Sequence, residues 1–262
     1  MSPHPTLRGR HTLVTGAGTG IGAAISRAIA EAGGRVSLAG RRREPLLALA
    51  AKLAGAETAV IDGFDVADPE KIAAGIAAAH SKFGPIDILI NNAGEAPSAA
   101  FLETDLSLWN RVIAVNLTGV FAVTQQVLPD MLAKRAGRIV TIASTAGLVG
   151  YPYVSAYVAA KHGVVGLTRA LALEVAKTGI TVNAVCPGST DTTLIADAIA
   201  TIVAKSGRSR EDVLKSFTSA NPQGRLVRPD EVADAVMWLL SDGASAINGQ
   251  AIAVAGGEVM VG

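Results

Sequence analysis

The chain sets a serine, a tyrosine and a lysine where they can share one proton. Ser144 follows the β-branched run Arg138-Ile-Val-Thr-Ile-Ala143, which predicts a strand ending at the serine. From Ala156 to Lys177 apolar residues recur at helical spacing with no internal proline, which predicts a helix. Tyr157 and Lys161 are four residues apart on it, so their side chains share one face, one turn apart. A hydroxyl at a strand end, a phenol and an ammonium that converge can move a proton to or from a carbonyl or alcohol oxygen. By itself the Tyr-x-x-x-Lys pair fits a solvated helix face equally well. Of Tyr151, Tyr153 and Tyr157, only the last has a lysine four residues on.

The rest of the chain supplies the context. His11 to Thr15 reads as a short strand running into Gly16-Ala-Gly-Thr-Gly-Ile-Gly22, and a helix follows from about Ile21 to Ala32, stopped by Gly33-Gly34. In a strand–glycine loop–helix arrangement the backbone can approach a pyrophosphate, which then faces the unpaired N–H groups and positive dipole end of the helix. The second strand, Arg35 to Ala39, is followed by Gly40-Arg41-Arg42-Arg43, with no carboxylate before Glu44. A dinucleotide site that takes NAD places an acid there for the ribose hydroxyls, whereas a guanidinium suits a 2′-phosphate. One of the three arginines is expected to bind that phosphate and the others to face water.

Alternation continues through helix Glu44 to Leu53, strand Thr58 to Ile61, and a helix capped by Asp68 with Pro69 at its first position. Strand Ile86 to Ile90 ends in Asn91-Asn92-Ala93-Gly94, and Asp105 to Lys134 reads as one helix containing Asn116. Thr181 to Val185 is a strand, Pro187-Gly188 follows it, a helix runs from Arg228 to about Leu240, and Ala251 to Val254 is a last strand. Regular alternation predicts an α/β, Rossmann-like doubly wound parallel sheet of about seven strands with helices on both faces. The motifs at Gly16, Arg41, Asp65, Asn91, Ser144 and Pro187 all follow strands and so gather at one sheet edge, where ligands bind. Residues 189–225 break the rhythm with two short helices, Thr193 to Lys205 and Arg210 to Ser219, and are read as a helical lid.

Bulk properties fit one domain over residues 1–262. Half the residues are apolar, 17% are charged and the net charge is +1, with no basic or acidic block, so neither nucleic acid nor an anionic membrane is an expected partner. The single cysteine, Cys186, excludes an intrachain disulfide and reads as a small core residue. Met1 to Arg10 has no apolar segment of a signal peptide, and Asn116, Gln125 and Gln126 interrupt the best candidate for a membrane span. His4, His11, His80 and His162 are scattered, so no metal is expected. A cytoplasmic location follows as the expectation.

Taken in order, these motifs resemble the short-chain dehydrogenase/reductase family over essentially the whole chain. Thr15-Gly16-x-x-x-Gly20-x-Gly22 is similar to its cofactor loop, Asn91-Asn92-Ala93-Gly94 to its fourth-strand motif, and Pro187-Gly188 with Thr192 to its nicotinamide-side loop. Asn116, Ser144, Tyr157 and Lys161 match its catalytic tetrad. The resemblance implies cofactor contacts from Gly16, Thr19, Gly20, Ile21, Gly22, Arg41, Asp65, Val66, Asn91, Ala93, Gly94, Tyr157, Lys161, Pro187, Gly188, Thr190 and Thr192. Two positions depart from the family's pattern. Glu95 stands where an apolar residue is usual, either as a surface carboxylate or as a substrate contact, and Thr190 stands where a branched aliphatic is usual.

What the resemblance implies is an oxidoreductase that interconverts a ketone and a secondary alcohol with NADP(H). A 3-oxoacyl or 3-hydroxyacyl thioester is the leading substrate. An NAD(H)-dependent dehydrogenase of a cyclic or aromatic alcohol, or a dinucleotide sensor without turnover, are the alternatives. Tyr157 would be the acid or base and Ser144 a donor to the substrate oxygen, with Asn116 kinking its helix and holding a water that links Lys161 to solvent. A tyrosine titrates near pH 10, and Lys161 with the oxidised nicotinamide is expected to lower that by about three pH units, roughly 4 kcal/mol. Lys205, Arg208 and Arg210 on the lid are either solvated charges or contacts for coenzyme A phosphates. The long apolar helices Asp105 to Lys134 and Ala156 to Lys177 imply subunit contacts, and a homotetramer is expected.

Overall fold

The computed structural model describes residues 6–260, except the side chain of Lys205; His4 and the rest of residues 1–5 of the N-terminal segment discussed above lie outside the described residues. Seven strands, β1 (His11–Thr15), β2 (Arg35–Ala39), β3 (Thr58–Ile61), β4 (Ile88–Asn91), β5 (Gly137–Ile142), β6 (Ile180–Pro187) and β7 (Ala251–Val254), form one sheet in the order β3-β2-β1-β4-β5-β6-β7, all parallel. Strands buried on both faces need near-continuous apolar sequence. β1, β4, β5 and β6 are buried at every position. The register pairs Thr15 with Ala39, Asn91 with Thr141, Ile142 with Val185 and Pro187 with Val254. Strand ends are therefore level, and the residues that follow them emerge at one edge. The order reverses between β1 and β4, which opens a crevice there.

Helices cover both faces. On one, α1 (Gly20–Glu31), α2 (Arg43–Lys52) and α9 (Pro229–Leu240) bury Ile25, Ile29, Leu46 and Val236 against Val14, Val36 and Leu38. On the other, α3 (Pro69–Phe83), α5 (Gly119–Lys134) and α6 (Ser155–Glu174) enclose Leu13, Leu89, Ile139 and Val182 with Ile72, Val123, Val127 and Met131. Asp68 caps α3, accepting from Glu70 N and Lys71 N, with Pro69 in the first turn as expected. Residues 189–225 carry α7 (Thr193–Ser206) and α8 (Arg210–Thr218).

One element differs in kind from the expectation. The run Asp105 to Lys134 is not a single α-helix: α4 (Leu106–Ile113) passes through a π-helical turn, Ala114–Thr118, before α5. Asn116 causes it. Its side-chain amide donates to Val112 O at 3.0 Å, competing with the backbone ladder. By length and composition alone the 29 residues Leu106–Lys134 would pass for a membrane-crossing helix, with a mean hydropathy of 1.4 over an 18-residue window. Here Val123, Val127 and Met131 are fully buried beneath the sheet. β6 also extends further than expected, to Pro187, because β5 and β7 pair with it on both sides.

Close approach, not backbone freedom, dictates Gly22. A Cβ there would lie 2.3 Å from Gly16 O and 2.5 Å from Asn92 Nδ2, so α1 sits where only hydrogen fits. Gly22→Ala should lower stability by about 1–3 kcal/mol and weaken dinucleotide binding; thermal denaturation and a fluorescence titration with NADPH check both.

Candidate active site

At the crevice between β1 and β4, side chains replace the strand ladder. Thr15 Oγ1 accepts from Asn92 N and Ala93 N at 2.9 and 3.0 Å, and Asn92 Nδ2 donates to Thr15 O and Gly16 O at 2.9 and 3.1 Å. Gly16 turns the chain with φ +64° and packs against Ala93. Thr19, the residue before α1, makes no side-chain cap, so the first N–H groups of the helix are left for a ligand. Opposite, Thr192 closes on the loop: a Cβ at Gly20 would meet Thr192 Cγ2 at 3.0 Å. The cleft that results has a volume of about 900 Å³ and runs from Arg41 and Asp65 to the α7–α8 segment.

At the β2 end, Gly40, Arg41 and Arg42 line the cleft, while Arg43 turns away to pair with Asp62 at 3.2 Å. Asp65 and Val66 line it too, with Asp65 Oδ1 accepting from Ala67 N. An uncapped helix N-terminus, a glycine loop and two guanidiniums are the donors that a phosphorylated dinucleotide requires, and the residues present fit one.

At the other end, Ser144, Tyr157 and Lys161 come together. Ser144 opens the 3₁₀ turn Thr145–Gly147, its Oγ accepting from Ala146 N at 3.1 Å, and it hydrogen-bonds the Tyr157 phenol. Lys161 Nζ donates to Ile142 O at 2.8 Å and lies 5.5 Å from the Tyr157 ring centre. Two glycines allow this crowding: a Cβ at Gly147 would lie 2.7 Å from Lys161 O of α6, and one at Gly94 would lie 2.8 Å from Asn116 Oδ1 of the π-helical turn. Asn116, fully buried, is held to backbone by Nδ2 donating to Glu95 O at 2.9 Å and by Oδ1 accepting from Glu95 N at 3.3 Å.

Burial controls the proton affinities. It pushes the Tyr157 phenol up, against the opposing hydrogen bond from Ser144. The expected depression of Tyr157 is thus not a property of the chain alone: desolvation of the phenolate outweighs the Ser144 hydrogen bond. The same burial pulls Lys161 down from 10.5 to about 8. It pushes the Cys186 thiol up to about 11, as suits the inert core residue expected there.

Most expected contacts line the cleft: Gly16, Thr19, Gly20, Ile21, Arg41, Asp65, Val66, Ala93, Gly94, Asn116, Ser144, Tyr157, Lys161, Pro187, Gly188, Thr190 and Thr192. Two lie behind its wall. Asn91 Nδ2 donates to Thr124 Oγ1 at 2.9 Å within the core, and Gly22 serves loop-to-helix packing. Glu95 lines the cleft with its carboxylate held by Arg111 at 2.8 Å. Thr190 is buried, donating to Gly188 O at 2.9 Å. Over the cleft, Leu194, Ile195, Ala198, Ile202 and Phe217 present apolar surface, and Arg208 lines the rim; Arg210 starts α8 in an exposed position, and the Lys205 side chain lies outside the described residues. Sequence reasoning missed Asn92, which the Asn-Asn-Ala-Gly motif contained, and Tyr151 with Glu258, which are 107 residues apart and carry no local signal.

A buried base with a lowered pKa costs stability. Between about pH 8 and 10.5 the unfolded chain binds the extra proton at Lys161, so stability rises with pH across that window and carries the full penalty below it. The penalty is about 3 kcal/mol, and losing the bond to Ile142 O offsets about 1 of it. Lys161→Met should therefore stabilise the fold by about 2 kcal/mol at pH 7, with the gain gone by about pH 10 and reversed above it, where only the lost hydrogen bond counts; denaturant melts at several pH values check this.

Comparison with known proteins agrees with this geometry. Residues 10–202 match the family model for short chain dehydrogenases. The chain is 46% identical over 249 residues to the protein assigned as ketoacyl reductase 1 of the granaticin polyketide synthase of Streptomyces violaceoruber, covering 94% of this chain and 91% of that one. It is 36% identical to the D-beta-hydroxybutyrate dehydrogenase of Rhizobium meliloti, covering 94% and 96%. The crystal structure of a tryptophan-substituted variant of actinorhodin polyketide ketoreductase with NADPH superposes with a TM-score of 0.91 at 43% identity, covering 95% and 97%. With the sheet order, the glycine loop and the Ser144–Tyr157–Lys161 cluster already in place, these matches show that the chain belongs to the short-chain dehydrogenase family of NAD(P)-dependent oxidoreductases.

Proposed function

We propose that this protein is an NADP(H)-dependent ketoreductase that interconverts a 3-oxoacyl and a 3-hydroxyacyl thioester. The observation that carries this reading is the meeting of Ser144, Tyr157 and Lys161 at the floor of a cleft whose far end holds Arg41 and Arg42 and no carboxylate after β2. Relatives assigned as polyketide ketoacyl reductases, and a solved relative that holds NADPH, support the substrate and cofactor assignments.

When bound, the nicotinamide supplies the hydride. Tyr157 supplies the proton to the carbonyl oxygen, and its raised pKa keeps the phenol protonated and ready to act as an acid. Ser144 turns its hydrogen bond from the phenol toward the same oxygen as charge develops there. Lys161, anchored at Ile142 O, holds a cation within one helical turn of the phenol and offsets the charge left on it. α7 and α8 act as the lid, excluding water with the apolar face of Leu194, Ile195 and Phe217. Phe101, Leu102, Leu106, Phe121 and Leu173 leave large apolar surface on the α4–α6 side, and we assign that side to the contacts of a homotetramer.

Tyr157→Phe should lower kcat/KM for ketone reduction by at least about 100-fold while NADPH still binds, since acid–base catalysis contributes about 10²–10⁴-fold; retention of more than about a hundredth of the rate counts against the role.

The cofactor assignment has its own test. A Cβ at Gly40 would meet nothing closer than Leu46 at 3.5 Å, so the site accepts a larger residue. Gly40→Asp with Arg41→Ser should shift preference from NADPH toward NADH, read as the ratio of kcat/KM for the two. A wild-type ratio that already favours NADH would overturn the assignment.

A further inference from the structure

Beyond Ser144 and Tyr157 the cleft ends at a carboxylate that the reaction does not use. Glu258 lies in the tail after β7, and the Tyr151 hydroxyl donates to its Oε1. Thr145 Oγ1 lies 2.9 Å from the same phenol oxygen and donates to it, tying the pair to the residue next to Ser144. The other carboxylate oxygen is set against the chain after β6: a Cβ at Gly188 would lie 2.6 Å from Oε2.

The tail is held in this place. Gly256, at φ +61°, packs so closely on buried Asn221 that no side chain fits between them, and Asn221 Nδ2 donates to Arg225 O at 2.8 Å at the base of the α7–α8 segment.

Among the described residues, no cation forms an ion pair with this carboxylate. Its partner is a phenol, a neutral donor, pushed up to about 12 by burial and by its hydrogen bond to Glu258. Among the described residues that line the cleft, Arg41 and Arg42 lie at the β2 end, Lys161 is at the floor bonded to Ile142 O, and Arg208 is on the rim donating to Asp212 O. The other acid near this end, Glu95, is held by Arg111. The cleft that Glu258 lines also carries apolar surface from Val154, Ile195 and Phe217, and apolar surroundings lengthen the reach of a charge.

We infer that Glu258 selects against substrates carrying a free carboxylate beside the reacting ketone and admits their neutral acyl derivatives, esters and thioesters. A like charge built into one end of a site rejects one class of ligand without adding a contact for the other. The inference rests on the ketoreductase reading above and adds to it which form of a 3-oxo acid is taken. It separates this chain from a relative named for a free hydroxy acid, the D-beta-hydroxybutyrate dehydrogenase.

The test compares 3-oxobutanoate with its ethyl ester, each reduced with NADPH by wild type, Glu258→Gln and Tyr151→Phe. Wild type should favour the ester by more than about tenfold in kcat/KM at low ionic strength. Glu258→Gln should lose most of that preference by gaining on the acid. Tyr151→Phe, which keeps the charge, should retain it. Raising the salt on wild type gives the same reading without a substitution, because screening narrows the ratio. Equal use of acid and ester by wild type overturns the inference, as does a preference for the acid, which would make Arg208 the governing charge. An unchanged ratio in Glu258→Gln, or the same loss in both variants, also overturns it, the latter marking the pair as a structural brace. Failure of wild type to reduce either compound overturns the ketoreductase reading itself and the inference with it.

Discussion

The cleft exists because two neighbouring strands part company, and the hydrogen bonds between Thr15 and Asn92 make that separation affordable. After β1 the chain turns into α1 toward one face, and after β4 it leaves in the other direction. Peptide groups at such a fork lose their ladder partners while they are still buried, and an unpaired buried amide or carbonyl costs about 1–3 kcal/mol. One threonine hydroxyl and one asparagine amide satisfy four of them. The glycine loop is held at fixed height as a result, and α1 presents its uncapped end to whatever occupies the crevice. The floor on the β5 side inherits its geometry from the same level strand ends, through the register that carries Asn91 to Thr141 and Ile142 to Val185.

Stability and chemistry pull in opposite directions on that floor. A phenol and an amine are both taken out of water, so each is pushed toward its neutral form, the phenol upward and the amine down to about 8. A cation and an anion side by side would be stabilised by each other, but the chain by itself does not supply enough attraction to charge them both. The positive charge of an oxidised nicotinamide, once present, would act on the same pair. The protonation state of the site is in this sense shared between protein and ligand.

Local patterns in the sequence carried the parts of this site that depend on local spacing. Tyr157 and Lys161 are one helical turn apart, the glycine loop is contiguous, and Asp68 with Pro69 opens α3 as their types require. The kink at Asn116 was implied by the family resemblance, whereas its physical cause, an amide competing for Val112 O, and its second partner, Glu95, left no local pattern. Long-range pairings left no trace. Nothing near Tyr151 announces Glu258, and nothing near Asn91 says that its amide turns inward to Thr124. The Tyr157 shift in the chain alone runs against the expected direction for a related reason: a pairwise argument counts the neighbouring cation, whereas burial sums over every surrounding group.

The π-helical turn between α4 and α5 has a consequence for angular phase. Each residue advances an α-helix by about 100°, and a wide turn accommodates an extra residue without passing that rotation on. Leu106–Ile113 and Gly119–Lys134 therefore follow different apolar phases, and each meets its own neighbours: α4 lies against α6, while α5 lays Val123, Val127 and Met131 on the sheet. Removing one residue from Ala114–Thr118 would let the run close into a regular helix, but it would also turn the α5 face by about a quarter of a circle or more. The insertion that brings Asn116 beside Lys161 is also what keeps two halves of one helix in register with two different surfaces.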